Sequence, residues 1–410
     1  MKKLALLMLT FVALSTAAFS ADVAVNGKLT TWAGMESNAS DFDSDGSDAV
    51  GYLYVNGELN TSVELADNVK VVLELELNDK VANGNSMNSS GGATGRATVE
   101  IDEAYVEIKQ MFMEMLTVKI GHQWMEYSLR ANHRAMVLAT DLTAFKGTFK
   151  FESGFLDVFY GKQNETLSSV NLSDDRDIFG VHISWDFNEN IHVIGYLNDA
   201  MFDNTGADHG NVFSIGAGID YFLIDKKLEL FLEIAFQVGD VNEDVKQSGL
   251  GIDAGAKWNF GEMGSLKGLS IELNVGYRSG EDNDADSSKF WNSWAARTGA
   301  LMAESDYNWT STNSDNPMYQ GYADDSYLAI RLEVGAQWTE KIGSHLLIAM
   351  FDNTTEDADP YGVEIDLCSD FKYSENVTMA AHLAIFLPDD GLAADGDTAF
   401  AFAFETTVAF

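Results

Sequence analysis

Asp41, Asp43 and Asp45 stand at alternate positions in DFDSDGSD, with Gly46 directly behind them. A D-x-D-x-D-G run resembles the start of a calcium loop, because oxygens at alternating positions can wrap a hard cation. The bidentate acid that such a loop needs near its end is missing, since Tyr52 occupies that position. Two readings stay open: a solvated acidic loop, and a loose site for Ca²⁺ or another divalent ion. The seven histidines are scattered and none has a close ligand spacing to another histidine or to Cys368. No zinc centre or other cofactor is expected from them. Gly-x-Ser-x-Gly elements and phosphate-binding loops are absent, so no enzyme is expected either.

More chemistry lies in charges carried on every second residue. One such row holds Glu58, Glu74, Glu76, Asp253, Glu272, Glu333, Glu364 and Asp366, and also Lys119, Lys146, Lys150, Lys257, Arg278 and Arg331. Acids outnumber bases. If this row lines water, cations are preferred; the alternative is a wide, weakly selective channel in which charge only keeps the wall wet. Lys119, Lys146 and Lys150 flank the segment WMEYSLRANHRAMVLATD, which carries Arg130, His133 and Arg134 beside the apolar run 135–139. A loop with such a run is expected to fold against a wall. It would set a basic arc opposite the acids Glu333, Glu364 and Asp366, giving a transverse field. The alternative is that Arg130 and Arg134 only pair with nearby acids and hold the loop.

The elements that position these charges are read from periodicity. In LSIELNVGYR apolar and polar residues alternate strictly, and LAIRLEVGAQW keeps the same two-residue period, which is a strand pattern and not a helical one. About eighteen such segments follow one another, each near the length a tilted strand needs to cross a bilayer; sixteen and twenty are the alternatives. Near Asp102 and Glu103 the alternation slips, as at a bulge or an outer rim. Tight turns alternate with longer polar loops at about 35–49, 79–96, 125–142, 163–175, 200–210, 240–247, 280–325, 353–359 and 388–396. The apolar rows end in aromatics such as Trp185, Phe187, Trp258, Phe260, Trp338, Phe371 and Tyr373, which suit a membrane–water interface. The 280–325 loop carries Trp291, Trp294, Tyr307, Trp309 and Tyr319, able either to stack on a ligand or to pack the loop over a barrel mouth.

Residues 1–20 read as a secretory signal peptide: Lys2 and Lys3, an apolar run, then small residues. Residues 21–410 then form one unit, an all-β closed antiparallel transmembrane barrel. No later run is long and apolar enough for a membrane helix. The formal net charge of −39 opposes binding to nucleic-acid phosphates. A single cysteine excludes an internal disulfide framework, and three prolines in 410 residues suit a continuous ladder. The first strand, near VAVNGKLTTW, must pair with the last, DTAFAFAFETTVAF, for the sheet to close.

Leader, alternating strands, alternating loops and the aromatic Phe410 together resemble a Gram-negative-type outer-membrane porin. That resemblance implies residence in outer-membrane lipid of a diderm bacterium and passive passage of small hydrophilic solutes or ions. It also implies a last strand, ending on Phe410, that the barrel-assembly machinery reads; a homotrimer is left open. VKIGHQWMEYS (118–128) and FKGTFKFESGFLDVFYGK (145–162) resemble, more narrowly, the alginate-export-type porins, with His122 where that family has Arg. This second resemblance implies an anionic poly- or oligosaccharide cargo. A mainly structural barrel or surface adhesin is the remaining alternative.

Overall fold

A strand with one apolar row keeps both backbone edges free to pair, and in lipid such a sheet has no satisfied edge until it closes on itself. The computed structural model, which describes residues 22–38, 50–82, 85–87, 98–130, 136–163, 174–204, 209–240, 246–280, 327–355, 359–389 and 396–410, shows that closure. Its strands are β1 (Asp22–Ser37), β2 (Val50–Ala66), β3 (Val69–Ala82), β4 (Asn85–Met87), β5 (Thr98–Lys109), β6 (Leu116–Glu126), β7 (Ala139–Phe151), β8 (Gly154–Gln163), β9 (Asp174–Asn188), β10 (Ile191–Asn204), β11 (His209–Leu223), β12 (Leu228–Asp240), β13 (Lys246–Met263), β14 (Leu266–Arg278), β15 (Tyr327–Gln337), β16 (Ile342–Asn353), β17 (Gly362–Lys372), β18 (Val377–Pro388) and β19 (Ala399–Ala409). Each pairs antiparallel with its neighbour in sequence, except that β3 continues to β5 while the short β4 pairs with β3 alone. β1 pairs with both β2 and β19. The ring therefore has the eighteen strands expected from the alternation.

Side chains sort as that alternation demands. On β12, Leu230, Leu232, Phe236 and Val238 are exposed while Glu229, Phe231, Glu233, Ala235 and Gln237 are buried. On β19, Phe400, Phe402 and Phe404 face out and Ala399, Ala401 and Ala403 face in. Exposed Trp185, Phe187, Tyr221, Phe260, Trp338, Phe371 and Tyr373 sit beside the short turns, an aromatic girdle on that rim. Closure reaches Phe410. Its N–H and carbonyl bond the carbonyl and N–H of Gly27, each at 2.9 Å, and its ring occupies the space a Gly27 side chain would need.

Two local expectations are refined. Asp102 is the extra residue of a β-bulge, because Glu74 faces Glu103 and Leu75 faces Ile101. The contrast of short and long connections is weaker than expected. β10 and β11 stay paired from Ile191↔Tyr221 to Asp203↔His209, leaving only 205–208 between them, whereas 110–115 separates β5 from β6 on the opposite rim. The leader, the Asp41–Asp43–Asp45 run, His133, Arg134 and nearly all of 280–325 lie outside the described residues.

Candidate pore constriction

β6 ends at Glu126 and β7 begins at Ala139; the third long loop joins them. Its described apolar residues turn inward. Leu129 and Met136 are buried with Ile194 and Tyr196 of β10 and with Phe231 and Ala235 of β12. Leu138 packs with Met125, Leu142, Ala144, Phe159 and Ile178. Inward glycines make room. A Cβ on Gly218 of β11 would stand 3.1 Å from both Leu129 methyl groups.

An aromatic rack fixes the start of the loop. Tyr127 stacks on His182 with centroids 3.7 Å apart and on Phe159 at 5.9 Å. Its hydroxyl donates to Asp157 Oδ2 at 2.8 Å. Burial, and then the Asp157 carboxylate beside it, push the Tyr127 hydroxyl well above its usual range, so it stays a donor. His182 Nε2 lies 2.8 Å from Asn198 Oδ1, and Tyr196 donates to Glu233 Oε1 at 2.9 Å.

Arg130 then reaches across the lumen. Its Nε donates to Glu229 Oε1 of β12 at 2.5 Å, and Nη1 and Nη2 donate to the two Glu272 oxygens of β14 at 2.9 and 3.3 Å. The guanidinium lies 4.0 Å over the Phe231 ring. β14 stands eight places round the ring from β6, nearly its diameter, so the loop crosses the interior. Lys257 and Arg331 also approach Glu272, each at 3.4 Å. Burial alone would lower the Arg130 pKa; the carboxylates of Glu272 and Glu229 outweigh it and hold the group above its usual value. The arrangement is a clasp: three cations and two acids, water-poor, tying the loop to the far wall.

The other predicted residues fall into separate places. Lys119 lies 3.9 Å from Glu107 and 4.3 Å over the Tyr105 ring, and Lys146 lies 3.7 Å from Asp157. Lys150 is exposed near the short-turn rim. Glu333 borders an inward recess of about 330 Å³ with Ser270, Gln337, His345 and Asp370. Glu364 and Asp366 are 0% and 1% exposed, on a stretch of inner wall that is largely apolar: Tyr327, Leu347, Phe351, Tyr361 and Phe386 are buried there too. The acids that meet Arg130 are thus Glu229 and Glu272, which spacing in the sequence does not single out.

Across the ring from β13 and β14, the inner faces of β2, β3 and β5 carry acids held differently. Asn56 donates to Glu76 at 2.7 Å and Asn60 to Glu74 at 2.6 Å, while Lys28 lies 3.5 Å from Glu58. Glu74, Glu76 and Glu103 are half-buried, not sealed. With the loop filling the β6–β14 side, this acidic wall borders the wetter part of the lumen.

An eighteen-strand antiparallel barrel with an apolar exterior and an inward third loop defines the class. Solved structures share the barrel fold. Pseudomonas aeruginosa outer membrane protein opdK matches with a TM-score of 0.58 at 10% identity, covering 94% of this chain and 98% of that one. Pseudomonas aeruginosa OccK9 (OpdG) matches with 0.59 at 11%, covering 95% and 98%, and Acinetobacter baumannii OccAB2 with 0.58 at 9%, covering 95% and 98%. At such identities the likeness establishes the fold. No protein-family profile matches the sequence, and no curated protein does. The alginate-export-type resemblance gains no support: His122, at its motif position, lies on the outward row against Thr143, 3.3 Å away, and not in the lumen.

Proposed function

We propose that the protein is an outer-membrane porin through which small hydrophilic solutes or ions diffuse passively, with cations preferred. The observation that carries this reading is the Arg130 clasp. It holds the third loop across the lumen and leaves the acidic wall of β2, β3 and β5 along the remaining path. In that path Glu74 and Glu76 are bonded by the neutral amides of Asn60 and Asn56, and their field attracts cations. Arg130, Lys257 and Arg331 are matched by acids, which argues against an anionic saccharide cargo. The exterior apolar rows and girdle suit an outer membrane, and the barrel-assembly machinery would read β19. Phe410, locked to Gly27, is then an assembly residue: its deletion is expected to lower the yield of folded, heat-modifiable barrel without affecting export.

Planar-bilayer recording with a salt gradient tests the reading. Stable conductance steps with a cation-selective reversal potential are expected. A folded barrel that carries no current would favour a structural or adhesive role, and an anion-selective one would overturn the acidic-wall argument.

A further inference from the structure

Neighbouring strands of the ring are laddered over most of their shared length; β1 and β2, for example, match from Asp22↔Glu64 to Glu36↔Val50. β5 and β6 differ. Their ladder runs from Lys109↔Thr117 to Ala104↔His122 and stops there, although β5 begins at Thr98 and β6 continues to Glu126. Both strands deform where they part. Asp102 bulges out of β5. Gly121 of β6 has φ of 135°, and its backbone lies so close to Ala104 and Tyr105 that a side chain would not fit. Beyond this point β5 stays with β3 and β6 stays with β7. The Trp124 N–H donates to the Glu103 carboxylate at 3.1 Å, a side-chain acceptor standing where a neighbouring strand would offer a carbonyl.

The two lips have different chemistry. On β5, Val99 and Ile101 are outward and exposed. On β6 and β7 the outward row, apolar at Ile120 and Phe145, turns polar: His122 faces Thr143, and Trp124 faces Asp141. Glu126 ends the same row. Asp102 lies within electrostatic reach of Asp141, Glu76, Glu74 and Glu103, so carboxylates from β3, β5 and β7 gather round the parting. Polar side chains and a broken ladder are costly against lipid and tolerated where water enters.

We propose that the barrel wall has a second, lateral aperture between β5 and β6, on the loop side of Ala104 and His122. It would admit amphiphiles with a cationic head group and an apolar tail. Carboxylates receive the head, and the Val99–Ile101 lip keeps the tail in contact with lipid. The inference rests on the reading that the barrel sits in a membrane, and not on its ion preference.

Cys368 is the sole cysteine, so a Cys368→Ala background permits a clean disulfide test in the folded barrel. Glu107→Cys with Lys119→Cys joins facing residues of the existing ladder. Glu103→Cys with Gln123→Cys joins the pair that would face each other if the ladder continued. Oxidation is expected to be at least about tenfold slower in the second pair; equal rates would overturn the aperture. A second measurement uses current block. Deleting Asp102 removes the bulge residue and should let the ladder extend. Block by dodecyltrimethylammonium is then expected to weaken about tenfold, with block by tetramethylammonium unchanged. Unchanged or equally weakened block by both ions would count against the proposal. A barrel without any current would defeat the porin reading, while the disulfide comparison would still decide the aperture.

Discussion

The wall of β12–β15 and the wall of β2–β5 both present carboxylates to the lumen, yet they hold them in opposite ways. In the first, Glu229 and Glu272 are sealed and each meets a guanidinium or ammonium group. In the second, Glu74 and Glu76 are half-buried and bonded by amides of Asn60 and Asn56. A buried acid matched by a cation contributes a fixed geometry and little outward field. A solvated acid matched by an amide keeps its charge visible. The same residue type thus builds a latch on one side of the barrel and a charged path on the other.

Breaking the latch should have the largest effect. Arg130→Ala takes from the buried Glu229 its guanidinium partner, leaves Glu272 to Lys257 and Arg331, and is expected to cost about 3 kcal/mol, read by denaturant unfolding of the folded barrel. Single-channel conductance should rise, because the loop loses its anchor on the far wall. Arg130→Lys should recover part of the stability only, since an ammonium cannot bridge Glu229 and Glu272 as a fork. Next comes Gly218→Val, which places a branched side chain where Leu129 packs; a loss of about 2 kcal/mol is expected, with the ion preference kept. Glu74→Gln combined with Glu76→Gln should change stability by less than about 0.5 kcal/mol and move the reversal potential toward zero. The smallest intervention is salt. Raising ionic strength from 0.1 M to 1 M shortens screening from about 10 Å to about 3 Å. Cation preference should fade, and the unfolding midpoint of the wild type should exceed that of Arg130→Ala at both salts.

Much of the fold is legible in the sequence because a two-residue period is hard to produce otherwise. The strand number, the face assignment of β12 and β19, and the slip at Asp102 all follow from it. The same rule is silent where both faces are apolar. In HLLIAMF of β16, Leu346, Ile348 and Met350 face out while Leu347, Ala349 and Phe351 face in and are buried. That continuous apolar run was the available sign that this inner wall is packed and not wet, and it bears on Glu364 and Asp366 in the neighbouring β17. The inward turn of the third loop is readable from its apolar run. Its partners are not. Whether Arg130 meets Glu272 or Glu333 depends on how far four residues reach across a ring, and no local spacing encodes that distance.

The bond between Gly27 and Phe410 has a kinetic side. The register Lys28↔Ala409 joins residues separated by nearly the whole chain, so this ladder closes the largest loop among the described strands. Until β19 has been made, β1 has a single partner and the sheet keeps two open edges. Each edge is a template for pairing with another chain. The barrel therefore cannot close before β19 has been made, and in the interval the chain must be kept from associating with its own copies.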